Sequence, residues 1–519
     1  MDNNERHSAG QPRGKQARKQ SRKQARKSTH QGTPSILSPG QRHLELSGAT
    51  LLAAALMIGP LLAGSYFGAW RWPLIITSSL AAILLLPHSR GNQKTNWWLA
   101  ALLIWPALQG LWMWHNAWGE FSRLSLDDLT QPPWNIRDLD NQPFSLLPGT
   151  ADRAETMDRL TYIIPCLGLI WGTRQLLISR PSWLKHLADS IFLTGVAVAL
   201  LGLIQRWSGA EGIFWDETMG HISRHLFFGT FRSPGIATCF LNVALAMSLS
   251  SLISPRSSRK RQRHPTYRIS STILRLCGVA VILTAVMTAG SKTGMGLGLL
   301  TLILWGSFNR RAIAAAYHRS AKYFPGNSHR DRNIVTGTLL LITLLAILSL
   351  AGTIFKRWQE AHEGDYASLT GRGVTNVIQL KMIQDPEWGA LGHGPGSFYP
   401  LFPYFAKDQP TYGVYVYSHN DPLQTLVEWG WLGSACFTTI IAGALYFLIR
   451  NIFYHKDKHP QHRVIFMRGY LIAISTFLIH SNIDFPFQIE SLAITFSIMI
   501  GVAWAIPELT TRKIKNAHR

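Results

Sequence analysis

Apolar segments long enough to cross a bilayer recur along this chain, and no other feature narrows its fold so far. They fall near 45–67, 73–88, 97–115, 160–178, 187–205, 234–254, 271–289, 294–308, 334–355, 423–449, 469–483 and 489–507. Several approach or exceed the roughly 18 residues that span hydrocarbon as a helix. Backbone polar groups in lipid must be satisfied within the segment, so runs of this length imply helices. The pattern predicts an all-α integral membrane protein of about twelve transmembrane helices, the second, eighth and eleventh of them short.

The charges supply the sidedness. Of 519 residues 47% are hydrophobic and only 15% charged, yet the formal net charge is +23, a combination unusual for a soluble enzyme. Residues 1–43 carry KQARKQSRKQARK, a low-complexity basic run that cannot bury a core and is expected to be a disordered cytoplasmic tail. It reads as an orientation signal, with attraction to anionic membrane lipids as the other reading. Without aromatics for base stacking it is not read as a nucleic-acid arm. No A-x-A cleavage pattern follows the first apolar run, so that run is read as a retained helix.

With the N-terminus inside, the loops 89–94, 174–185, 255–264, 310–332 and 450–463 and the tail 508–519 share one side, and each is basic. Loop 117–158, on the other side, holds eight acidic residues against three basic ones. Both termini are therefore expected in the cytoplasm. Helices 1–9 occupy 44–355 and helices 10–12 occupy 423–507, separated by a large outer loop, 356–422, too long for a plain connector and so expected to be functional.

Several chemistries find little support. Cys166, Cys239, Cys277 and Cys436 lie in apolar runs without CxxC spacing and read as small core residues. No HExxH or clustered His and Cys ligands occur, so neither a metal nor a cofactor is implied. GHGPG at 392–396 is not GxGxxG and reads as a turn-rich loop, and AGSKTG lacks the GxxxxGK order of a phosphate-binding loop.

Polar chemistry concentrates at YSHNDPLQTLVEWG, 417–430. Asp421, Pro422 and Gln424 have the order of N-cap, first and third helical residues, which makes Asp421 structural. His419 then lies two residues before the cap, at the outer surface, where helix N–H groups favour an anion. Glu428 falls on nearly the same face, about 10 Å deeper; it reads either as functional or as the buried partner of an arginine or backbone amide. Arg232 in TFRSPGIA, Lys292 in AGSKTG and Arg372 in LTGRGVTN share the outer side, where the positive-inside rule does not explain them. Two guanidinium forks and an ammonium suit a diphosphate, although each singly also reads as a snorkelling or solvated charge.

These stretches resemble the O-antigen ligase and polymerase-related family of bacterial membrane glycosyltransferases, most strongly from about 280 to 440. AGSKTGMGLG, LTGRGVTNVIQLKMIQDPEWGALGHGPGSF and above all SHNDPLQTLVEWGWLG carry the likeness, the last through a His-Asn, Leu, Glu-x-Gly-x-x-Gly signature. RSPGIATCFLNVALA is similar to the family's arginine-containing helix start, and IHSNIDFPF at 479–487 to its late His and Asp segment. Ser291-Lys292 departs from a frequent Ser-Arg, and Val374 to Val377 from an aromatic after the loop arginine.

The resemblance implies a lipid-dependent, GT-C-like glycosyltransferase fold in the bacterial inner membrane, with a large periplasmic loop and a periplasm-facing active site. It implies a glycan donor on undecaprenyl diphosphate and, as acceptor, lipid A core or another glycan. His419 corresponds to the family's essential histidine, and Arg232 and Arg372 to its diphosphate-binding arginines. An imidazole exchanges protons near neutral pH and suits the acceptor hydroxyl as a base. Arg232, Arg372 and Lys292 then hold the departing diphosphate, with Asn420, Asp421, Glu428, His480 and Asp484 in support. The expected reaction is a single inverting displacement without metal or nucleotide. Ligation, polymerisation and protein O-glycosylation all stay open within this reading.

A transporter of an anionic lipid or sugar is the runner-up, and it requires polar mid-membrane residues and broken helices in corresponding halves. A membrane scaffold that works through its basic tail is a third reading. Deleting residues 1–43 is expected to alter expression or topology and to spare activity, as a transfer assay on the truncated chain would show; loss of activity would favour the scaffold.

Overall fold

The computed structural model describes residues 38–62, 64, 68–117, 149–216, 227–253, 265–321, 337, 372–384, 390–406 and 415–517. Among these residues the apolar runs are helices and no strand occurs; an isolated bridge pairs Phe228 with Phe231. The first eight helices are α1 (Pro39–Leu61), α2 (Trp72–Leu85), α3 (Gln93–His115), α4 (Arg153–Ser179), α5 (Trp183–Ser208), α6 (Pro234–Ile253), α7 (Pro265–Thr288) and α8 (Lys292–Ala321). Helix α9 (372–384) and α10 (Phe398–Phe405) follow in the stretch read as a loop, then α11 (Asp421–Phe453), α12 (Gln461–Ser481) and α13 (Glu490–Ala517).

Eight described helices are long and apolar enough to cross a membrane, α2 counted with the 3-10 turn Gly68–Arg71 before it. The ninth expected crossing, 334–355, lies outside the described residues except for Gly337.

Helix ends follow local chemistry more than hydropathy. Asp152 starts α4, its carboxylate accepting from the backbone N–H groups of Ala154 and Glu155 at 2.9 and 3.1 Å. Asn92 does the same for α3. One boundary shifts here, and two helices run past their apolar segments. The tail read as disordered to residue 43 stops earlier, because Pro39 to His43 form the start of α1; residues 1–37 lie outside the described residues. The helix that carries the eighth apolar run outlasts the run, since α8 continues to Ala321. The basic tail from 508 is largely the end of α13. A helix once nucleated propagates at little cost, so hydropathy marks its apolar part and not its length.

Two units are distinguished, Met1–Leu46 and Ser47–Arg519. In the first, Ser38 and Gln41 form a reciprocal capping box, Ser38 N–H donating to Gln41 Oε1 at 3.2 Å and Gln41 N–H to Ser38 Oγ at 3.3 Å. In the second, α4 packs along α13, and α6 lies enclosed by α5, α7, α8 and α12. Small residues allow the close approaches: a Cβ on Gly195 of α5 would come within 2.3 Å of Ala244 Cβ on α6.

Helix α11 is broken. Gly430 has φ 59° and ψ −166°, which frees the carbonyls before it from the helical ladder. The turn-rich segment 390–396 supplies the replacement donors. His393 N–H donates to Val427 O and Gly394 N–H to Glu428 O, both at 2.9 Å, while Leu432 N–H returns a bond to Ala390 O at 3.1 Å. From α3, Gln109 Nε2 reaches Trp429 O at 2.8 Å and Leu391 O at 2.9 Å. Beyond the break, α9, α10, Ala151 and Val427 build a satellite core around Ile378, Met382, Phe398 and Phe402. The described helices of this stretch, α9 and α10, thus pack as a layer beside the break in α11.

A Cβ at position 430 would fall 2.4 Å from Gly392 N and 2.6 Å from Ala390 O. Gly430→Ala should therefore lower stability by about 1–3 kcal/mol. Gly306→Ala on α8, where a Cβ meets nothing within 4 Å, should be neutral or stabilising by up to about 1 kcal/mol. Thermal unfolding of the two purified variants checks the contrast.

Candidate functional site

The entry to α11 is built around a residue in an uncommon backbone conformation. His419 has φ 58°, a left-handed value that among the described non-glycine residues recurs only at Phe214 and Trp215. Such a residue costs about 1–2 kcal/mol in backbone energy and needs surroundings that fix it. Ser418 N–H donates to Gln424 Oε1 at 3.1 Å, and Thr375 Oγ1 on α9 donates to Ser418 O at 3.1 Å. Asn420 Nδ2 reaches Asn376 Oδ1 at 3.2 Å. The first turn of α9, which starts at Arg372, is thereby fastened to the strained loop.

The cap differs from the expected one. Asn420, not Asp421, is the N-cap, its Oδ1 accepting from Leu423 N–H at 3.3 Å, so His419 directly precedes the cap. Asp421 is buried and reaches across to the turn after α12, accepting from Phe487 N–H at 2.8 Å and Gln488 Nε2 at 3.2 Å. Gln424 reaches back as a capping box would, but to Ser418. Burial decides the exchange: Asp421 points into the turn, and the more exposed Asn420 is left to cap.

His419 faces Asp484. Its Nδ1 lies 3.3 Å from Asp484 Oδ1, and His480 Nε2 approaches Oδ2 of the same carboxylate at 3.7 Å. The His419 side chain is 30% exposed, against 1% for His480 and 10% for Asp484, so the ring is backed by buried groups and open on its other side. Phe485 meets the His419 ring edge-on at 4.8 Å between centroids and stacks on Tyr417 at 4.6 Å. Burial opposes the charged form of Asp484, yet the two imidazoles beside it hold its carboxyl well below the usual carboxylate range.

Close packing brings the outer cations to the same end. Arg232 stands just before α6, after a tight turn in which Phe228 and Phe231 exchange backbone bonds of 2.9 and 3.1 Å. In the first turn of α6, a Cβ on Gly235 would lie 2.2 Å from Asp484 Oδ2. The first turn of α8, which opens with Lys292, packs on the other side: a Cβ on Gly294 would lie 2.0 Å from Thr238 Oγ1, and Asn242 Nδ2 donates to Gly294 O at 2.9 Å. Ser291 Oγ caps this turn by accepting from Gly294 N–H at 3.1 Å. Arg232, Lys292, Arg372, His419, Asp484 and His480 thus belong to helix ends gathered around the α6 N-terminus and the 417–421 loop.

Glu428 does not join them. It accepts from Gln424 Nε2 at 2.9 Å and from Gly396 N–H, with Arg159 nearby, which are the surroundings of the buried partner in the second reading above. Two residues escaped the sequence reading. Arg159 on α4 is buried, pairs with Glu155 at 2.8 Å, donates to Gln488 Oε1 at 3.2 Å and lies 5.3 Å over the Tyr417 ring. Its signal was an arginine at the very edge of an apolar run, four residues after a glutamate. Gln488 links Arg159 to Asp421, and no spacing announces it.

Among the described residues the fold is helical, with eight helices long and apolar enough to cross a membrane, as in an integral membrane protein, and a polar cluster lies where helix ends meet. Residues 277–438 match the family model described as O-Antigen ligase. The match encloses Lys292, Arg372, His419 and Glu428, and it supports an O-antigen ligase-related family for this chain. It supports glycosyltransferase-like activity in O-antigen or polysaccharide biosynthesis and, with the apolar helices, a multi-pass bacterial membrane protein. Comparison with curated proteins gives no match.

The two carboxamide and carboxylate roles separate by stability. Asn420→Ala should cost about 1 kcal/mol as a lost cap. Asp421→Ala should cost more, about 1–3 kcal/mol, because it strands the buried Gln488 amide and the half-buried Phe487 N–H. Unfolding of both variants, ranked against wild type, gives the order.

Proposed function

We propose that this protein transfers a glycan from undecaprenyl diphosphate to an acceptor hydroxyl at the periplasmic face of the inner membrane, in the manner of an O-antigen ligase. One observation carries the reading: a partly open histidine, backed by a buried carboxylate 3.3 Å away, sits among cation-bearing helix ends inside the family-matched stretch. Asp484, ionised at neutral pH, holds the Nδ1–H tautomer of His419, which leaves Nε2 to take the acceptor proton. Arg232, Lys292 and Arg372 meet the charge that grows on the departing diphosphate. Attack opposite the leaving group inverts the anomeric centre, and the donor arrives activated, without a nucleotide.

His480 steadies Asp484, while Asn420 and Asp421 fix the loop that carries His419. Twelve crossings with both termini cytoplasmic complete this picture, the basic inner loops being its support. The break at Gly430 is the sort of feature a transporter uses, but among the described membrane-length helices it falls in one, and its carbonyls are bound by protein donors. That arrangement favours a fixed scaffold.

In an assay with lipid-linked glycan and separate acceptors, His419→Ala should lose transfer by on the order of 10²–10⁴. Asp484→Asn should fall by a comparable factor through loss of the tautomer, and Arg372→Ala should weaken donor use. Transfer to lipid A core marks a ligase, lengthening of the lipid-linked chain a polymerase, and transfer to protein an O-glycosyltransferase. Wild-type transfer by a folded His419→Ala would overturn the reading.

A further inference from the structure

The carboxylate that backs His419 occupies space that a residue with a side chain would fill. Asp484 follows α12, where its N–H donates to His480 O at 3.1 Å and fixes its backbone to the helix end. Its side chain then meets His419 Nδ1 at 3.3 Å, His480 Nε2 at 3.7 Å and, on the remaining side, the first turn of α6. There the contact falls at Gly235. A Cβ on Gly235 would lie 2.2 Å from Asp484 Oδ2 and 3.4 Å from Asp484 Cγ, whereas unbonded carbon atoms settle at roughly 3.5–4 Å.

Of the two sides, the helix is the one that cannot yield. Ile236, Ala237 and Thr238 are buried, Thr238 Oγ1 donates to the carbonyls of Pro234 and Gly235 at 2.9 Å, and the turn that opens α8 packs on Thr238. The carboxylate is the end of a short side chain and rotates more cheaply. A methyl at position 235 therefore displaces Asp484 Oδ2 by about 1 Å. Because the carboxylate is planar, Oδ1 moves with it. At 3.3 Å the contact with Nδ1 already stands at the limit of a hydrogen bond, so a shift of this size removes it. The close approach also sets the anion against first-turn N–H groups of α6, which favour negative charge.

We propose that Gly235 is a positioning residue for glycan transfer, its bare backbone seating the Asp484 carboxylate against His419. The role in catalysis rests on the transfer reading, but the contact itself is measurable without substrate. The titratable groups that act on Asp484 are His419 in the 417–421 loop, Asp421 on α11, His480 on α12 and Cys239 on α6. Arg232 stands just before the α6 turn.

The test uses the purified full chain. Diethyl pyrocarbonate modifies neutral imidazole, and mass spectrometry of the His419 peptide as pH is varied reads the ring's protonation; its 30% exposed side chain admits the reagent. In Gly235→Ala the midpoint of modification should move to lower pH, the direction expected for Asp484→Asn, because the protonated ring has lost its carboxylate partner. Adding Gly235→Ala to Asp484→Asn should shift it no further, since both act through one contact. Gly469→Ala on α12 is the packing control. A Cβ there would lie 2.3 Å from Ser250 Oγ, an overlap as severe but about 16 Å along the axis from His480, and the midpoint should stay in place. In transfer, Gly235→Ala should lose about tenfold or more in kcat.

An unmoved midpoint in folded Gly235→Ala, a further shift in the double variant, or an equal shift in Gly469→Ala would overturn the assignment. If Gly235→Ala unfolds, the melting of Gly235→Ala with Asp484→Ala decides: recovery locates the overlap at the carboxylate, and no recovery overturns it. The two readings fail separately. A midpoint that moves as expected while wild type transfers to no acceptor sinks the enzyme reading alone, whereas wild-type kcat in Gly235→Ala sinks the positioning role alone.

Discussion

A helix crossing an apolar medium cannot leave its backbone carbonyls unpaired, and at Gly430 this protein breaks such a helix. Each unmatched group would cost several kcal/mol in hydrocarbon, on the order of 2–7. The carbonyls of Val427, Glu428 and Trp429 are instead taken up by His393, Gly394 and Gln109. That requirement ties the 390–396 turn to α11 and α3 to both. The layer of α9 and α10 is held in place by the same attachment. The Glu-x-Gly-x-x-Gly signature has its physical meaning here: Glu428 is bound by Gln424 and Gly396, Gly430 adopts a backbone closed to other residues, and Gly433 lies against Trp429 and Gln109.

About three turns before the break, the same economy of partners fixes His419. Its left-handed backbone is held by bonds from α9, from within α11 and from the turn after α12, three elements far apart in sequence. Tyr417, Phe485 and Arg159 stack behind it. The consequence is an imidazole with one nitrogen against a buried carboxylate and its other face open, a geometry suited to proton transfer. Arg159 is shared by this assembly and a mainly apolar cavity between α4, α11, α12 and α13, so the two are mechanically joined.

Much of this was legible beforehand. Apolar runs located the helices because hydropathy follows burial in lipid. Charge set Arg232, Lys292 and Arg372 apart from an inner-side rule; the first turns of α6 and α8 pack together, and that of α9 is bonded to the 417–421 loop. The cap was misjudged by one residue: Asp421 and Asn420 are equally good caps on paper, and only the turn at 485–488, sixty-odd residues away, withdraws Asp421 from that role. Glu428 was ambiguous for the same reason, its partners lying in a glycine-rich turn that spacing could not connect to it.

The sequence by itself determined the helical class, the apolar runs that fold as helices and the residue types whose chemistry suits holding an anion and moving a proton. These depend on composition over short windows and on each residue's own chemistry. Tertiary structure alone decided which carboxylate backs His419, which residue caps α11, that Gly430 interrupts it, and that Arg159 and Gln488 join the site to an apolar cavity. Those outcomes depend on contacts between segments distant in the chain, where burial and hydrogen-bond satisfaction choose among locally equivalent residues.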